Sequence, residues 1–406
     1  MEPKGIEYLR NKLAAKKKRV KLRYTYYEMK NAFSNPSKLI PPIFRSIKPV
    51  LGWCAKGVDS IADRLVFDGF KNDSFYIDEI FDLNSRDIFF DDAVLSALIS
   101  SCCFVYISAD EDGYPRLQVI DGGNATGIID PITRLLDEGY AVLELGDDGE
   151  PNIEAHFLPG ETEIYRNGKL DDVYTHDAPY ALLVPIVYRP DAKRPFGHSR
   201  ISRACMELTQ QALRTMLRSE VCSEFYSFPQ KYALGLDPKA MFDTEEKKWN
   251  AYISSILQIS TDENGNHPVV GQFQQASMTP FNEAMKNTAS LFAGETGLTL
   301  DDLGFSTANP STSEAIAASH ETLRLTARKS QRTFGAGFLN VGYLAACVRD
   351  GRAYERSAFY QTKPRWAPLF EPSASQIAGI GDAIQKLQQS FPDYFNEEKL
   401  RELTGI

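Results

Sequence analysis

Between Thr296 and Gly351 a polar loop feeds a stretch that contains no proline after Pro310. That combination restricts the chain more than any other feature in it. The loop reads Phe305-Ser306-Thr307-Ala308-Asn309-Pro310-Ser311-Thr312. Asn309-Pro310 biases the backbone away from helix, and the Ser, Thr and Asn side chains offer it local hydrogen bonds instead. Ser313 then suits a helix N-cap, with Glu314 in the first turn against the positive end of the dipole. Ile316, Leu323, Ala327, Phe334, Phe338, Val341 and Ala345 recur at helical spacing and predict one apolar stripe. Opposite it, Arg324, Arg328 and Arg332 stand four apart, with Lys329 beside them. A capped polar loop leading into a helix that is half apolar and half cationic describes an assembly part better than a catalytic pocket. Taken alone, the cationic face reads as solvated.

The 406 residues are enough for two or three domains at about 100–200 residues each. A 43% hydrophobic and 24% charged composition is ordinary for a globular chain and argues against wholesale disorder. No apolar run approaches the about 18–20 residues that span a bilayer, and the N-terminus lacks an apolar signal core. The expectation is a soluble intracellular product. Six cysteines (54, 102, 103, 205, 222, 347) form no CxxC pair, so buried free thiols are expected rather than zinc ligation. The net charge of −9 argues against tight non-specific DNA binding. Residues 1–30 depart from that mean, with ten Lys/Arg against three Glu. The run Lys16-Lys17-Lys18-Arg19-Val20-Lys21-Leu22-Arg23 reads as a solvated helix face, with contact to nucleic acid or a partner as the lesser alternative.

Taken in order, helices are expected over 5–32, from Phe44 to Val66 and from Asp87 to Ser101. The last runs into a strand, Cys102–Ile107. From there to Tyr188 the period becomes two. Leu117–Ile120, Ala141–Leu145, Ala155–Leu158, Glu163–Tyr165 and Ala181–Tyr188 alternate with turns such as Glu111-Asp112-Gly113, Asp147-Asp148-Gly149 and Asn167-Gly168. Ser199 is the expected cap of a long helix to about Phe225. Next come a strand (Gln230–Leu236), a helix after Asp237-Pro238, a strand near Ile256–Ser260, and a helix from Thr279-Pro280 to Gly297. Two long helices therefore bracket a small α/β insertion. Trp366–Pro368 is expected to be extended, with helices at Ser373–Gln388 and Asn396–Leu403 closing the chain.

Catalytic signatures are missing. There is no GxxxxGK[ST], GxSxG or GxGxxG, and His320-Glu321 does not continue into HExxH. The five histidines are dispersed. Acidic pairs at Asp91-Asp92, Asp171-Asp172 and Asp301-Asp302 could in principle serve a two-metal nuclease. Helix starts and a turn at 171–172 account for them more simply. The expectation is no catalytic residue, no metal and no cofactor.

Four pieces carry a resemblance: Trp53–Leu65 with Asp68-Gly69-Phe70; the Ala93–Ile107 helix-to-strand passage; Pro195–Ile201 opening the long helix that ends at Phe228-Pro229-Gln230; and Asn309–Ile316 opening the central helix. In this order and spacing the chain resembles the portal proteins of tailed bacteriophages, close to the branch found in long-tailed phages of Gram-positive hosts. The resemblance implies an α+β, portal-type fold. Residues 1–198 would form a wing, 199–228 and 279–300 two stem helices, and 229–278 a small α/β clip between them. Residues 301–312 would form a channel loop, 313–350 a long helix joining wing to crown, and 351–406 the last wing segment with a short helical crown.

The same resemblance implies a homo-oligomeric ring, typically of twelve subunits, at one capsid vertex. Double-stranded DNA passes through it, and the major capsid protein, terminase and a head–tail adaptor bind it, with no membrane involved. Assembly in the host cytoplasm and residence in the virion follow. Asp301, Asp302, Ser306, Thr307, Asn309, Ser311 and Thr312 would line the channel without gripping phosphate. Arg324, Arg328, Lys329 and Arg332 would make intersubunit ion pairs or steer phosphate. Arg200, Arg203, Glu207, Arg214 and Arg218 would set the mixed charge on the stem flanks of a head-to-tail ring. The alternatives are a metal-dependent nuclease, which cleavage of plasmid would reveal, and another virion component such as an adaptor.

Overall fold

The structure is a computed structural model that describes residues 3–34, 40, 44, 46–147, 149–227, 231–234, 269–272, 277–305, 318–369 and 374–390. Helix α1 (Ile6–Tyr27) comes first, followed by α2 (Trp53–Ala62). Helix α2 is shorter than the expected Phe44–Val66. Pro49 has no N–H to donate, so the helix begins only after Gly52. Strand β1 (Phe67–Lys71) and the short α3 (Ile77–Asp82) follow, neither of them expected from the sequence. Helix α4 (Arg86–Ser100) leads directly into β2 (Cys102–Ala109), as its pattern indicated.

Seven more strands complete the β-rich part: β3 (Pro115–Ile120), β4 (Ala125–Ile129), β5 (Leu136–Leu145), β6 (Pro151–Leu158), β7 (Glu161–Arg166), β8 (Lys169–Thr175) and β9 (Leu183–Val187). They form two antiparallel sheets, ordered β3-β2-β9 and β4-β5-β6-β7-β8. Asn167 and Gly168 both have positive φ, 50° and 74°. They make the tight turn that pairs Arg166 with Lys169. Asp171 and Asp172, expected in a turn, lie instead within β8. The Asn-Gly pair completes the reversal in two residues, so the strand resumes before them.

Helix α5 (Arg203–Ser227) starts later than expected. Ser199 is turned inward, its hydroxyl donating to the Ile99 carbonyl at 2.6 Å. Ser202 caps the helix instead, accepting from the Cys205 N–H at 3.1 Å. Strands β10 (Lys231–Leu234) and β11 (Val269–Gln272) pair antiparallel. The expected helix after Pro238 and strand near 256–260 lie outside the described residues. Helix α6 (Thr279–Thr296) returns alongside α5, with Pro280 in its first turn as expected. Its end meets the beginning of α5, where Ser202 Oγ donates to Glu295 Oε1 at 2.7 Å. The two helices are therefore antiparallel.

Helix α7 (Glu321–Asp350) is the axis of the core. Leu323, Ala327, Phe334, Phe338, Val341 and Ala345 are all fully buried, as their spacing required; Ile316, Ser313 and Glu314 lie outside the described residues. Gly351 stops the helix in the left-handed region at φ 56°. Strand β12 (Lys363–Trp366) then pairs with β1, setting Trp366 opposite Phe67. There Phe67, Phe90 and Phe338 form an aromatic cluster, with ring centroids 4.3 Å apart for Phe67–Phe90 and 4.7 Å for Phe90–Phe338. Helix α8 (Ala374–Ser390) is the last described element. The segment expected to be helical at 396–403 lies outside the described residues.

The basic run on α1 corrects the expectation of a wholly solvated face. Leu9, Leu13 and Val20 anchor the helix, and several cations on it turn inward. Lys12 Nζ donates to the Gly127 carbonyl at 2.6 Å, and Arg23 donates to the Ser100 carbonyl at 2.7 Å. Lys16 Nζ sits 5.0 Å from the centre of the Phe104 ring, and burial pushes its pKa down. Lys17, Lys18, Arg19 and Lys21 remain exposed. Helical periodicity shows which residues share a face, but not that a cationic face will meet carbonyls and aromatic rings.

Candidate functional site

The segment joining α6 to α7 is closed at its base by side-chain bonds. Gly297 ends α6 at φ 70°, and a single 3₁₀ turn, Asp301–Leu303, follows. Asp302 locks that turn: its Oδ2 accepts from the Thr299 N–H at 2.8 Å and the Thr299 hydroxyl at 2.9 Å. Its own N–H donates back to Thr299 Oγ1 at 3.2 Å. The same carboxylate faces His320 Nε2 at 3.1 Å, just ahead of α7. Partial burial alone would raise the Asp302 pKa; the Thr299 donors and the imidazole outweigh it and hold it below the usual carboxylate range. One acidic side chain thus joins the end of α6 to the start of α7. Asp301 beside it is exposed. Ser306, Thr307, Asn309, Ser311 and Thr312 lie outside the described residues.

The four cations of α7 divide into two kinds. Arg324 forms a two-pronged pair with Glu321 one turn earlier, both contacts at 2.7 Å. Arg328, Lys329 and Arg332 are exposed on the same helix. Leu325, 54% exposed, sits among them. A solvent-facing leucine beside three exposed cations gives this part of α7 a surface suited to contact.

The stem residues also separate. Arg203 and Arg218 are exposed on α5, and Arg214 reaches back to Glu207 at 2.9 Å, a pair within one helix. Arg200 departs from its expected place on a lateral flank. It precedes the helix and is 7% exposed. Its Nε donates to the Gly57 carbonyl at 3.0 Å, and its Nη2 donates to the Thr296 carbonyl at the C-terminal end of α6. A guanidinium there satisfies the orphan Thr296 carbonyl and meets the negative end of the α6 dipole, while adding a second donor to the Gly57 carbonyl within α2. Ser199 and Arg200 are thus internal fasteners. The Pro195–Ile201 stretch gave no sign of this, because both residue types are also common on helix surfaces.

The acidic pairs are spread over α4, the β8 edge and the 3₁₀ turn. Among the described residues no group of three or more His, Cys, Asp or Glu side chains is placed to hold a metal ion.

Compared with known proteins, the chain is 24% identical over 404 residues to the portal protein of Mycobacterium phage D29, covering 94% of this chain and 81% of that one. It is 22% identical over 397 residues to the portal protein of Mycobacterium phage L5, covering 93% and 80%. Over most of its length the chain is similar to these two mycobacteriophage portal proteins. No family model matches it. Among solved structures it is similar to a chain of the virion of a native gene transfer agent particle, with a TM-score of 0.49, 13% identity and coverage of 95% and 99%. It is also similar to a chain of the neck of a native gene transfer agent particle computed with C12 symmetry, with a TM-score of 0.44, 15% identity and coverage of 87% and 89%. Three of the pieces that carry the resemblance form α2 with β1, the passage from α4 to β2, and the approach to α5. The fourth piece, around Asn309–Ile316, lies outside the described residues except for what flanks it.

Proposed function

We propose that this chain is a portal subunit, about twelve copies of which form a ring at one capsid vertex through which the genome enters and leaves. The observation that carries the reading is the match to the phage D29 portal protein across 94% of the chain. The antiparallel α5/α6 pair bracketing β10 and β11 supports a stem with a clip at its tip. In this reading residues 1–198 are the wing and 199–202 a buried approach. Residues 203–228 and 279–300 are the stem, 229–278 the clip, 301–312 the channel loop, 313–350 the helix behind it, and 351–406 the end of the wing and a short crown. Terminase and a head–tail adaptor bind at the clip, and the capsid protein surrounds the wing. The role is structural, with assembly in the host cytoplasm and final residence in the virion.

The channel function follows from charge. A conduit must let a polyanion slide, so its lining should offer hydroxyls, amides and carboxylates rather than a ring of lysines. Asp301 and the hydroxyl-rich 306–312 segment supply that lining, while Asp302 holds the loop's base. Arg328, Lys329 and Arg332 follow the loop on α7, and intersubunit pairs are their role in this reading. Negative-stain microscopy and mass photometry of the purified chain test the reading. An annulus with a central hole, at a mass near about twelve subunits, is expected. A chain that stays monomeric at every concentration would sink it.

A further inference from the structure

Charge is unevenly distributed along this chain. Residues 110–177 hold seventeen Asp and Glu against four Lys and Arg, whereas residues 1–30 hold ten Lys and Arg against three Glu. The acidic stretch is the β-rich lobe. Glu111, Asp112, Asp147, Asp171 and Asp172 on it are exposed. Lys17, Lys18 and Lys21 share one outward face of α1, and among the described residues none of them forms an ion pair. Among the described residues strand β8 is the outer edge of its sheet, bonded to β7 on one side only. Every residue of β8 is exposed, Leu170 by 54% and Tyr174 by 56%. An open strand edge carrying large apolar side chains invites pairing with another chain unless something covers it.

We propose that the β8 edge, which carries Asp171 and Asp172, docks on the Lys17–Lys18–Lys21 face of α1 in the next subunit. The proposal rests on the portal reading. A head-to-tail ring needs two different faces that complement each other on every subunit, and a segregated acidic edge and basic helix meet that need. Opposite charge also fixes the register of docking and speeds encounter. The contact covers Leu170 and Tyr174, and it supplies acidic partners to lysines that form no ion pair among the described residues of their own subunit.

The test uses the full chain, with ring formation followed by mass photometry against protein concentration. Three variants are compared with the parent: Lys17→Glu/Lys18→Glu/Lys21→Glu, Asp171→Lys/Asp172→Lys, and the two combined. Circular dichroism and melting confirm that each is folded, and Lys17→Gln/Lys18→Gln/Lys21→Gln replaces the first if it is not. Each reversal should raise the assembly midpoint by about tenfold or more in concentration, and the combination should recover most of that loss. Parent assembly should weaken as salt rises from about 0.05 to 0.5 M. The proposal is overturned if the lysine variant assembles at the parental midpoint, or if both reversals weaken assembly and the combination recovers nothing. Intact rings of the lysine variant that no longer retain a duplex DNA fragment would assign the face to DNA and overturn it too. A parent that never forms rings fails the portal reading itself, which separates the two outcomes.

Discussion

Arg200 shows how a single side chain can be read correctly as cationic and wrongly as exposed. Its guanidinium donates to two main-chain carbonyls, at Gly57 and Thr296, that no other described side chain serves. It thereby joins α2, the approach to α5 and the end of α6. Arg200→Met keeps most of the side-chain volume but leaves the Thr296 carbonyl at the end of α6 buried without a donor, at about 1–3 kcal/mol, and removes the second donor from the Gly57 carbonyl, which keeps its bond within α2. Hydrogen exchange of the α5 and α6 amides should then show a loss of about 1–3 kcal/mol in local opening free energy. Unchanged protection would mean that the two bonds are dispensable. Asp302 is a parallel case. The acidic pair at 301–302 was legible, but the division of labour within it depends on Thr299 and His320, eighteen residues from Asp302 in the second case.

Among the elements, α7 was the most legible and still held information its pattern did not contain. Its apolar stripe and its stop at Gly351 follow from spacing and from the conformational freedom of glycine. Its internal glycines serve another purpose: they let neighbours approach the helix closely. A Cβ at Gly335 would lie 2.7 Å from Pro364 Cγ, and one at Gly337 would lie 2.8 Å from Ile186 Cδ1. Replacing glycine by alanine inside a helix contributes about 1 kcal/mol of stability, while overpacking costs about 1–3 kcal/mol. Which effect wins depends on whether the neighbour can yield. The Ile186 methyl can rotate away, but the Pro364 ring is held in β12. Gly335→Ala should therefore lower the melting temperature, and Gly337→Ala should change it much less. A Gly335→Ala protein that melts higher than the parent would refute the argument. Periodicity could not supply this distinction, since the partners are supplied by strands distant in sequence.

For the whole molecule, the basic N-terminus is part of the fold. Glu138, 2% exposed, accepts from the Lys4 and Gly5 N–H groups at 2.7 and 2.8 Å, beside His156 and Glu163. Glu154, 4% exposed, is held by Arg10 and Tyr140. Removing residues 1–30 would take two main-chain donors from Glu138 and the Arg10 partner from Glu154, and breaking a buried pair costs about 3–5 kcal/mol. The truncated chain should lose the cooperative melting of its β-rich lobe and bind a hydrophobic dye. Melting indistinguishable from the parent would show that α1 is only an appendage.

The sequence by itself determined the α+β character, the long helices, the Asn-Gly hairpin and the portal relationship. These depend on local spacing, turn chemistry and the order of recognisable pieces along the chain. Tertiary structure alone decided that Arg200 and, of the basic run, Lys16 and Arg23 turn inward, that Asp171 and Asp172 ride an open strand edge, and that Asp302 ties α6 to α7. Periodicity assigns a residue to a face, whereas the use of a polar face depends on which carbonyls, rings and carboxylates the distant parts of the chain bring to it.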